Sequence, residues 1–425
     1  MSGREWSDDN RKMRDTDMYG KLLGLSWPWE VERVELALAK NEVHIWVKHG
    51  EGRWSCPECQ EACSLYDHSE ERTWRHLDMM QYTTLVHARP PRISCGEHGV
   101  RQVRLPWAEV KSRFTILFES FAISVLGELG VAGAQRILRL SRDEAWEIVK
   151  RAVTRGQMRK VRKIPEYMGI DEKAWAKGQD SYLSIVSDLK DGTVEWIGND
   201  RRAETLGEYF GGFTPEELAG VLAVAMDMWK AYTLAVRTWI PNADRKIVYD
   251  RFHVMQQLVE AVDNVRKAEN RSLTKQDNHL LKGSKYLWLR SRENVARRHR
   301  RWFATLKRSA GKTSRAWSIK ETFRRLWDFK TEFHGIRFWK SWYFWATHSR
   351  LQPIIAAARK LHRHLDKLIN YFRHRVTSAQ AESLNGRIEK IKRIAHGYRN
   401  IENFKIAIYF HFGKLDLYPA THGNP

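Results

Sequence analysis

The chain has 425 residues and a formal net charge of +22. That length implies two or three domains with cores of their own. The charge implies a polyanionic partner, nucleic acid ahead of an anionic membrane surface. No stretch approaches the roughly 20 apolar residues of a membrane span, and MSGREWSDDN lacks the apolar centre of a secretory signal. Four cysteines are too few for a disulfide framework. The expectation is a cytoplasmic protein, nucleoid-associated when bound to DNA.

Residues 1–18 are polar and aperiodic. From Trp29 the segment EVERVELALAKNEVHIWVKH alternates apolar and polar residues around a Lys40-Asn41 turn, the pattern of a β-hairpin. It leads into Cys56-Pro-Glu-Cys59, and Cys95-Gly-Glu-His98 follows later in the chain. Two pairs with two-residue spacers can converge four ligands on a tetrahedral Zn²⁺. Cys63 is an alternative ligand, less suited because three residues separate it from Cys59. Buried free cysteines beside an incidental histidine are the plainer alternative. Four protein ligands would leave no open position, so the role of the metal would be structural. ERTWRHLDMMQYTTLVHARPPRISC supplies further alternating strands, completing a zinc-ribbon-like β module over residues 1–110.

Residues 111–160 change to helical period. RFTILFESFAISVLGELG, VAGAQRILRL and SRDEAWEIVKRAVTR read as successive helices, the last opened by Ser141 with Glu144 three residues on, a capping box. With Ala145, Ile148 and Val149 inward, the last two match a helix-turn-helix, although helix pairs with no DNA role are common. Its second helix would offer Arg142, Trp146, Lys150 and Arg151 to double-stranded DNA, with Asp143 beside them.

In residues 161–266 the period becomes two. YMGIDEKAW, DSYLSIVSDL and GTVEWIGND read as an antiparallel meander with turns at Asp180 and at Asp191-Gly192. Two short helices follow, RAETLGEYF and PEELAG. Then VLAVAM and KIVY read as buried strands ending on Asp227 and Asp250, joined by a helix from about Met228 to Trp239. Strand, strand, strand, helix, strand, helix, strand, helix is the order of an RNase H-like domain within a multi-domain α/β chain. In that order Asp171 lies on the central first strand, and Asp227 ends the fourth strand beside it.

Residues 267–375 form a basic helical insertion. They hold a net charge of +21, nearly the whole excess of the protein, and seven of its 19 tryptophans: Trp288, Trp302, Trp317, Trp327, Trp339, Trp342 and Trp345. Most of those rings fit a helical core. The charge, with so little compensating acid, repels itself unless phosphates neutralise it. Residues 376–425 return to the catalytic domain with a helix from about Ser378 to Ala395, ended by Gly397, and a second to about Phe412. Glu382, Asn385 and Glu389 share a face of the first.

Carboxylates from neighbouring strands and a returning helix can hold two Mg²⁺ (or Mn²⁺) ions, as phosphoryl transfer on DNA requires. Asp171 would bridge both ions, with Asp227 on one and Glu382 on the other; Glu389 is the alternative to Glu382. Asp250, one strand further out, and His253 would support the metal ligands, although a helix-capping role explains Asp250 equally well.

The hairpin before CPEC, RTWRHLDM, CGEHG, the helix-turn-helix, GIDEKAWAKG, VAMDMWKAY, IVYDRFHV with AVDNVRK, and AESLNGRIEKIKRIAHGYRNIENF together resemble one family over nearly the whole chain. It is the transposases of bacterial insertion sequences of the L3 group, which carry a zinc finger and a DDE catalytic domain. The resemblance implies Asp171, Asp227 and Glu382 as the catalytic triad and a helical insertion before the glutamate. Asp250 and His253 look like the D-x-x-H element of related transposases, and the Cys95 and His98 pair is often two cysteines in related proteins. It also implies binding of terminal inverted repeats, cleavage and strand transfer into target DNA, and at least a homodimer at synapsis. An RNase H-like nuclease without strand transfer and a non-catalytic DNA-binding regulator are the two alternatives built from the same parts.

Overall fold

The computed structural model describes residues 13–176, 182–376 and 379–420. The turn expected at Asp180 and the helix start expected at Ser378 lie outside them. The five expected segments fold into two compact units, divided after Lys160 and again after Lys414, so that the chain from Leu415 returns to the first unit.

The first unit opens with α1 (Asp15–Leu22), followed by β1 (Trp29–Ala37), β2 (Glu42–His49), β3 (Trp54–Ser55), β4 (Ala62–His68), β5 (Arg72–Met79), β6 (Tyr82–Ala88), β7 (Pro91–Cys95) and β8 (Gly99–Gln102). Among the described residues these strands form two four-stranded sheets, β1-β2-β6-β5 and β3-β4-β7-β8. The expected hairpin is present, with Asn41 in the left-handed region at φ 54°. A core of Trp29, Ile45, Trp54, Trp74, Val86, Ile93 and Trp107 holds the unit together.

Two helices complete this unit, α2 (Ile116–Leu138) and α3 (Arg142–Arg159). Against the sequence expectation, α2 is long and apolar enough to cross a membrane by length and composition. Gly130, at φ 66° and ψ 174°, breaks it into the two shorter helices that the sequence suggests. Moreover Glu119 in its first turn is buried against Arg151 and Arg155 of α3, an ion pair suited to the inside of a helix pair. The Ser141–Glu144 capping box starts α3, and Ala145, Ile148 and Val149 face inward. At Gly156 the returning chain comes so close that a Cβ would lie 2.6 Å from that of Leu415.

The second unit contains β9 (Tyr167–Ala174), β10 (Tyr182–Asp188), β11 (Thr193–Gly198), α4 (Ala203–Phe210), α5 (Pro215–Ala219), β12 (Ala223–Met226), α6 (Lys230–Trp239), α7 (Ala243–Lys246) and β13 (Ile247–Tyr249). Its sheet has the order β11-β10-β9-β12-β13 among the described residues. β9, β10 and β11 are antiparallel neighbours, whereas β12 runs parallel to both β9 and β13. The first strand is therefore central, with the fourth beside it.

From β13 the chain enters α8 (Arg251–Thr274), a continuous helix that runs through the boundary expected near Lys267. The insertion follows as α9 (Lys285–Leu289), α10 (Arg300–Ser309), α11 (Gly311–Phe323), α12 (Glu332–Thr347), α13 (Gln352–His362) and α14 (Leu365–His374). Trp288, Trp317, Trp327, Trp339 and Trp342 are buried here, while Trp302 and Trp345 stay exposed. This helical core is continuous with the side chains of one sheet face, including Met168, Ile170, Val224 and Met226. The other face is covered by α15 (Ala379–Ile394) and α16 (Ile401–Phe412), whose Leu384, Ile388, Phe404 and Ile408 pack on Leu183, Ile185, Val194 and Ile197.

Candidate active site and metal centre

The metal centre is built by two hairpin turns. Cys56 and Cys59 flank the turn between β3 and β4, where Gln60 adopts φ 65° and its N–H donates to the Cys56 carbonyl at 3.0 Å. Cys95 ends β7, and Gly99, at φ 67°, opens β8 after His98. Antiparallel pairing of β4 with β7 brings the two turns together. The sulfurs of Cys56, Cys59 and Cys95 and a ring nitrogen of His98 all lie within 4.8 Å of one another. Cys59 Sγ is 3.7 Å from Cys95 Sγ, and His98 Nδ1 is 3.7 Å from Cys95 Sγ and 3.9 Å from Cys56 Sγ. Those separations match the edges, roughly 3.6–3.8 Å, of a tetrahedron with Zn–S near 2.3 Å and Zn–N near 2.0–2.1 Å. Backbone N–H groups of His98 and Glu97 donate to Cys95 and lower its pKa, favouring the thiolate that a metal needs. Cys63 is not one of these four and donates to the Glu61 carbonyl at 3.4 Å.

The carboxylate site follows from strand register. Met226 of β12 pairs with Ile170 of β9, so the next residues, Asp227 just past the end of β12 and Asp171 within β9, stand side by side. Side chains alternate along a strand, so Asp227 shares a face with Ala225, and Ala225 packs against Ala381 of α15. One turn further along α15, Asn385 Nδ2 donates to Asp171 Oδ2. Glu382 lies on the same helix between these two contacts. Glu389, by contrast, is ion-paired with Lys173 at 2.8 Å.

Burial pushes the Asp171 carboxyl up to about 6, helped by the nearby charges of Asp250 and Asp227 and opposed by the Glu172 N–H and by His253. Asp250 lies just beyond β13 with its own N–H on the Met226 carbonyl at 2.9 Å. Its carboxylate caps α8 through the Phe252 N–H at 2.8 Å and also accepts from His253 Nδ1 at 3.1 Å. His253 Nδ1 is in turn 3.8 Å from Asp227 Oδ1. Burial would lower the His253 pKa, but the Asp250 hydrogen bond and the charges of Asp227, Asp250 and Asp171 lift it to about 9. Three carboxylates thus converge around one imidazolium.

Residues 168–408, more than half of the chain, match the model of the ISL3 transposase DDE domain. The chain belongs to the ISL3 transposase family. Residues 52–98 match the zinc finger of transposases IS204/IS1001/IS1096/IS1165. This transposase is also 28% identical over 402 residues to the transposase for insertion sequence element IS1001 of Bordetella parapertussis, covering 91% of this chain and 97% of the relative. It is 25% identical over 402 residues to the transposase for insertion sequence element IS1557 of Mycobacterium tuberculosis, covering 87% of this chain and 88% of the relative. The zinc-finger match and the Cys₃His cluster together point to zinc.

Of the four residues of α3 expected from the sequence to meet DNA, Arg142 and Lys150 are exposed and Trp146 is half-buried. Arg151 is engaged by Glu109 at 3.0 Å and Glu119 at 3.4 Å, which ties α3 to its own unit. Asn385 is the site residue whose contact sequence reasoning missed. Its place on the glutamate face of α15 was the available signal, but an amide carries no mark of metal chemistry by itself.

Elemental analysis of the purified transposase is expected to find one zinc per chain. Cys59→Ser and Cys95→Ser should lose that zinc and melt the β module, because a structural site stabilises its fold directly. Cys63→Ser should keep a full complement. Zinc loss in Cys63→Ser with retention in Cys59→Ser would reassign the ligand set.

Proposed function

We propose that the second unit is an RNase H-like catalytic domain that cuts DNA at the ends of an insertion sequence and joins the 3′ ends to target DNA. The observation that carries this reading is the register that sets Asp227 beside Asp171, with Asn385 on Asp171 and Glu382 on the same stretch of α15. Asp171, Asp227 and Glu382 are the catalytic carboxylates. They fit a pair of Mg²⁺ ions, since Asp171 within β9 and Asp227 just past the end of β12 stand side by side on one face and the third comes from the helix covering that face. When bound, such ions activate the attacking oxygen, first of water and then of a DNA 3′-hydroxyl, and stabilise the leaving oxygen.

The remaining residues orient this set. Asn385 fixes the rotation of the Asp171 carboxylate, and Asp250 holds His253 against Asp227, as outer partners of metal ligands do. Helix α15 reaches the site with Glu382 at the level of Gly169 and Ile170. Four helical residues rise about as far as two strand residues, and Asn385 and Glu389 already align with Asp171 and Lys173.

The zinc module and the helix pair of the first unit recognise the terminal inverted repeats, with Arg142 and Lys150 as exposed cations on α3. The basic insertion lies along phosphates of the end or target duplex. Bringing two ends together needs at least two copies of the chain. The protein acts in the cytoplasm, on the nucleoid.

With Mg²⁺ and DNA carrying the element's own ends, the full-length protein is expected to give both cleaved and joined products. Asp171→Ala, Asp227→Ala and Glu382→Ala should each lose activity by about a thousandfold or more, and Asn385→Ala by about 10–100-fold. Glu389→Ala should stay close to wild type. Cleavage that ignores end sequence and yields no joined product would indicate a nuclease. A full loss in Glu389→Ala with an active Glu382→Ala would exchange the two glutamates.

Cation binding should also depend on pH, because Asp171 must shed its proton to become a ligand. Since its folded pKa lies near 6, affinity for Mn²⁺ without DNA is expected to level off above that pH. Below it, affinity should fall about tenfold per unit, one proton being displaced per metal bound at Asp171. Titration of the free Mn²⁺ spectroscopic signal between pH 5 and pH 8, both bounds being roughly one to two units from that pKa, checks the slope.

A further inference from the structure

On the opposite face of the sheet from Asp171, Arg201 is held in a stack. Its guanidinium carbon is 4.5 Å from the Tyr182 ring centre and 4.6 Å from that of Trp229. Its Nη1 donates to Glu172 at 3.2 Å, and the Trp229 indole N–H donates back to the Arg201 carbonyl at 3.1 Å. Glu172 follows Asp171 directly in β9, and Trp229 lies two residues after Asp227, so the stack is joined through the chain to both carboxylate-bearing strands. Yet a large part of it faces solvent: Trp229 is 39% exposed and the Arg201 side chain 33%. Two features are unusual for a tether between elements. An indole lies open two residues beyond Asp227, and its orientation is fixed by both a hydrogen bond and a cation–π contact.

We propose that Arg201 and Trp229 form a nucleotide-holding site on the DNA strand being cut. Trp229 stacks on a base flanking the scissile phosphate, and outward N–H groups of Arg201 take the phosphate of that nucleotide. Glu172 and Asp171 point to opposite faces of β9, so Arg201 does not reach the reacting atoms. The pair are positioning residues, not catalytic ones. A guanidinium fork carries five N–H donors, and the hydrogen bond to Glu172 uses one of them while Tyr182 and Trp229 keep the group flat. Base–aromatic stacking tolerates any sequence, which suits a site next to a cut that must work on whatever flanks the element.

This proposal rests on the carboxylate site assigned above, and its test separates the two. Full-length protein is assayed on end DNA containing, one position at a time, an abasic nucleotide near the cleavage point. Trp229→Ala is expected to lower kcat/KM about tenfold on intact DNA. At one abasic position wild type should lose the same factor, and Trp229→Ala should lose nothing further. Trp229→Phe should recover most of the activity. Arg201→Ala should show the matching behaviour with a neutral methylphosphonate at that nucleotide.

An equal loss for Trp229→Ala relative to wild type on every abasic substrate would overturn the proposal, since it would mark a structural tether. Unchanged kcat/KM in Trp229→Ala would overturn it as well. Asp227→Ala run in parallel distinguishes the failures. An active Asp227→Ala would remove the site itself, whereas an inactive one with uniform Trp229→Ala losses would remove only the nucleotide-holding role.

Discussion

Parallel pairing of β12 against β9, with Met226 opposite Ile170, is the constraint from which the rest of the second unit follows. Side chains alternate every residue, so a slip of one position would turn Asp227 toward Met168 and Ile170, into an apolar layer. Burying a carboxylate there without partners would cost several kcal/mol. The hydrophobic pattern and the site geometry therefore specify the same register. On the other side of the central strand Gly169 lets β10 pair closely, because a Cβ at that position would lie 2.6 Å from Ser187 Oγ and 2.8 Å from Leu189 Cδ2.

Charge is managed in opposite ways at the two ends of this unit. At the strand ends, carboxylates gather and are only partly offset by His253, which their field keeps protonated to about pH 9. In the insertion the excess is positive, and its acids are largely consumed inside the fold. Glu293 and Glu321 bind Arg324, Glu332 binds Arg373, and Asp366 binds Lys367. Glu269 caps the start of α11 through the N–H groups of Lys312 and Thr313. Lys320, buried, donates to the carbonyls of Trp288, Leu289 and Arg290 and closes the end of α9. What remains on the outside is basic, a surface that phosphates neutralise. A polyanion whose scissile phosphate sits among bound cations meets both requirements together.

Much of this was legible in the sequence where period and chemistry coincide. The alternation around Lys40-Asn41, the paired knuckles at Cys56 and Cys95, and the apolar runs ending on Asp227 and Asp250 each carry one local signal with one physical cause. The fate of individual tryptophans was not legible. Trp317 and Trp302 belong to the same basic helical stretch, and only the folded insertion makes the first core and the second exposed. Nor could Arg151 be told from Lys150, since its partners Glu109 and Glu119 lie on other elements. Asn385 escaped for a similar reason, because its role exists only once α15 lies over Asp171.

The insertion separates Asp227 from Glu382 by more than a hundred positions, and its docking determines where α15 begins. Helix α14 returns along β13, where buried Asn370 donates to the carbonyls of Asp244 and Ile247, both at 2.8 Å. Lys367, also buried, reaches Asp244 at 3.1 Å. Leaving such groups unpaired costs about 1–3 kcal/mol each, so the last insertion helix is pinned to the edge strand of the sheet. The apolar core gives the same answer, since Leu368, Ile369 and Phe372 of α14 belong to one cluster with Ile247, Tyr249 and the buried insertion tryptophans. A module tethered only at its two ends would leave the start of α15 free to wander by its own length. Here the chain leaves Asp250 in a rigid helix and comes back against the strand that Asp250 terminates, so the insertion acts as a strut that delivers α15, and Glu382 with it, to the face where Asp171 and Asp227 meet.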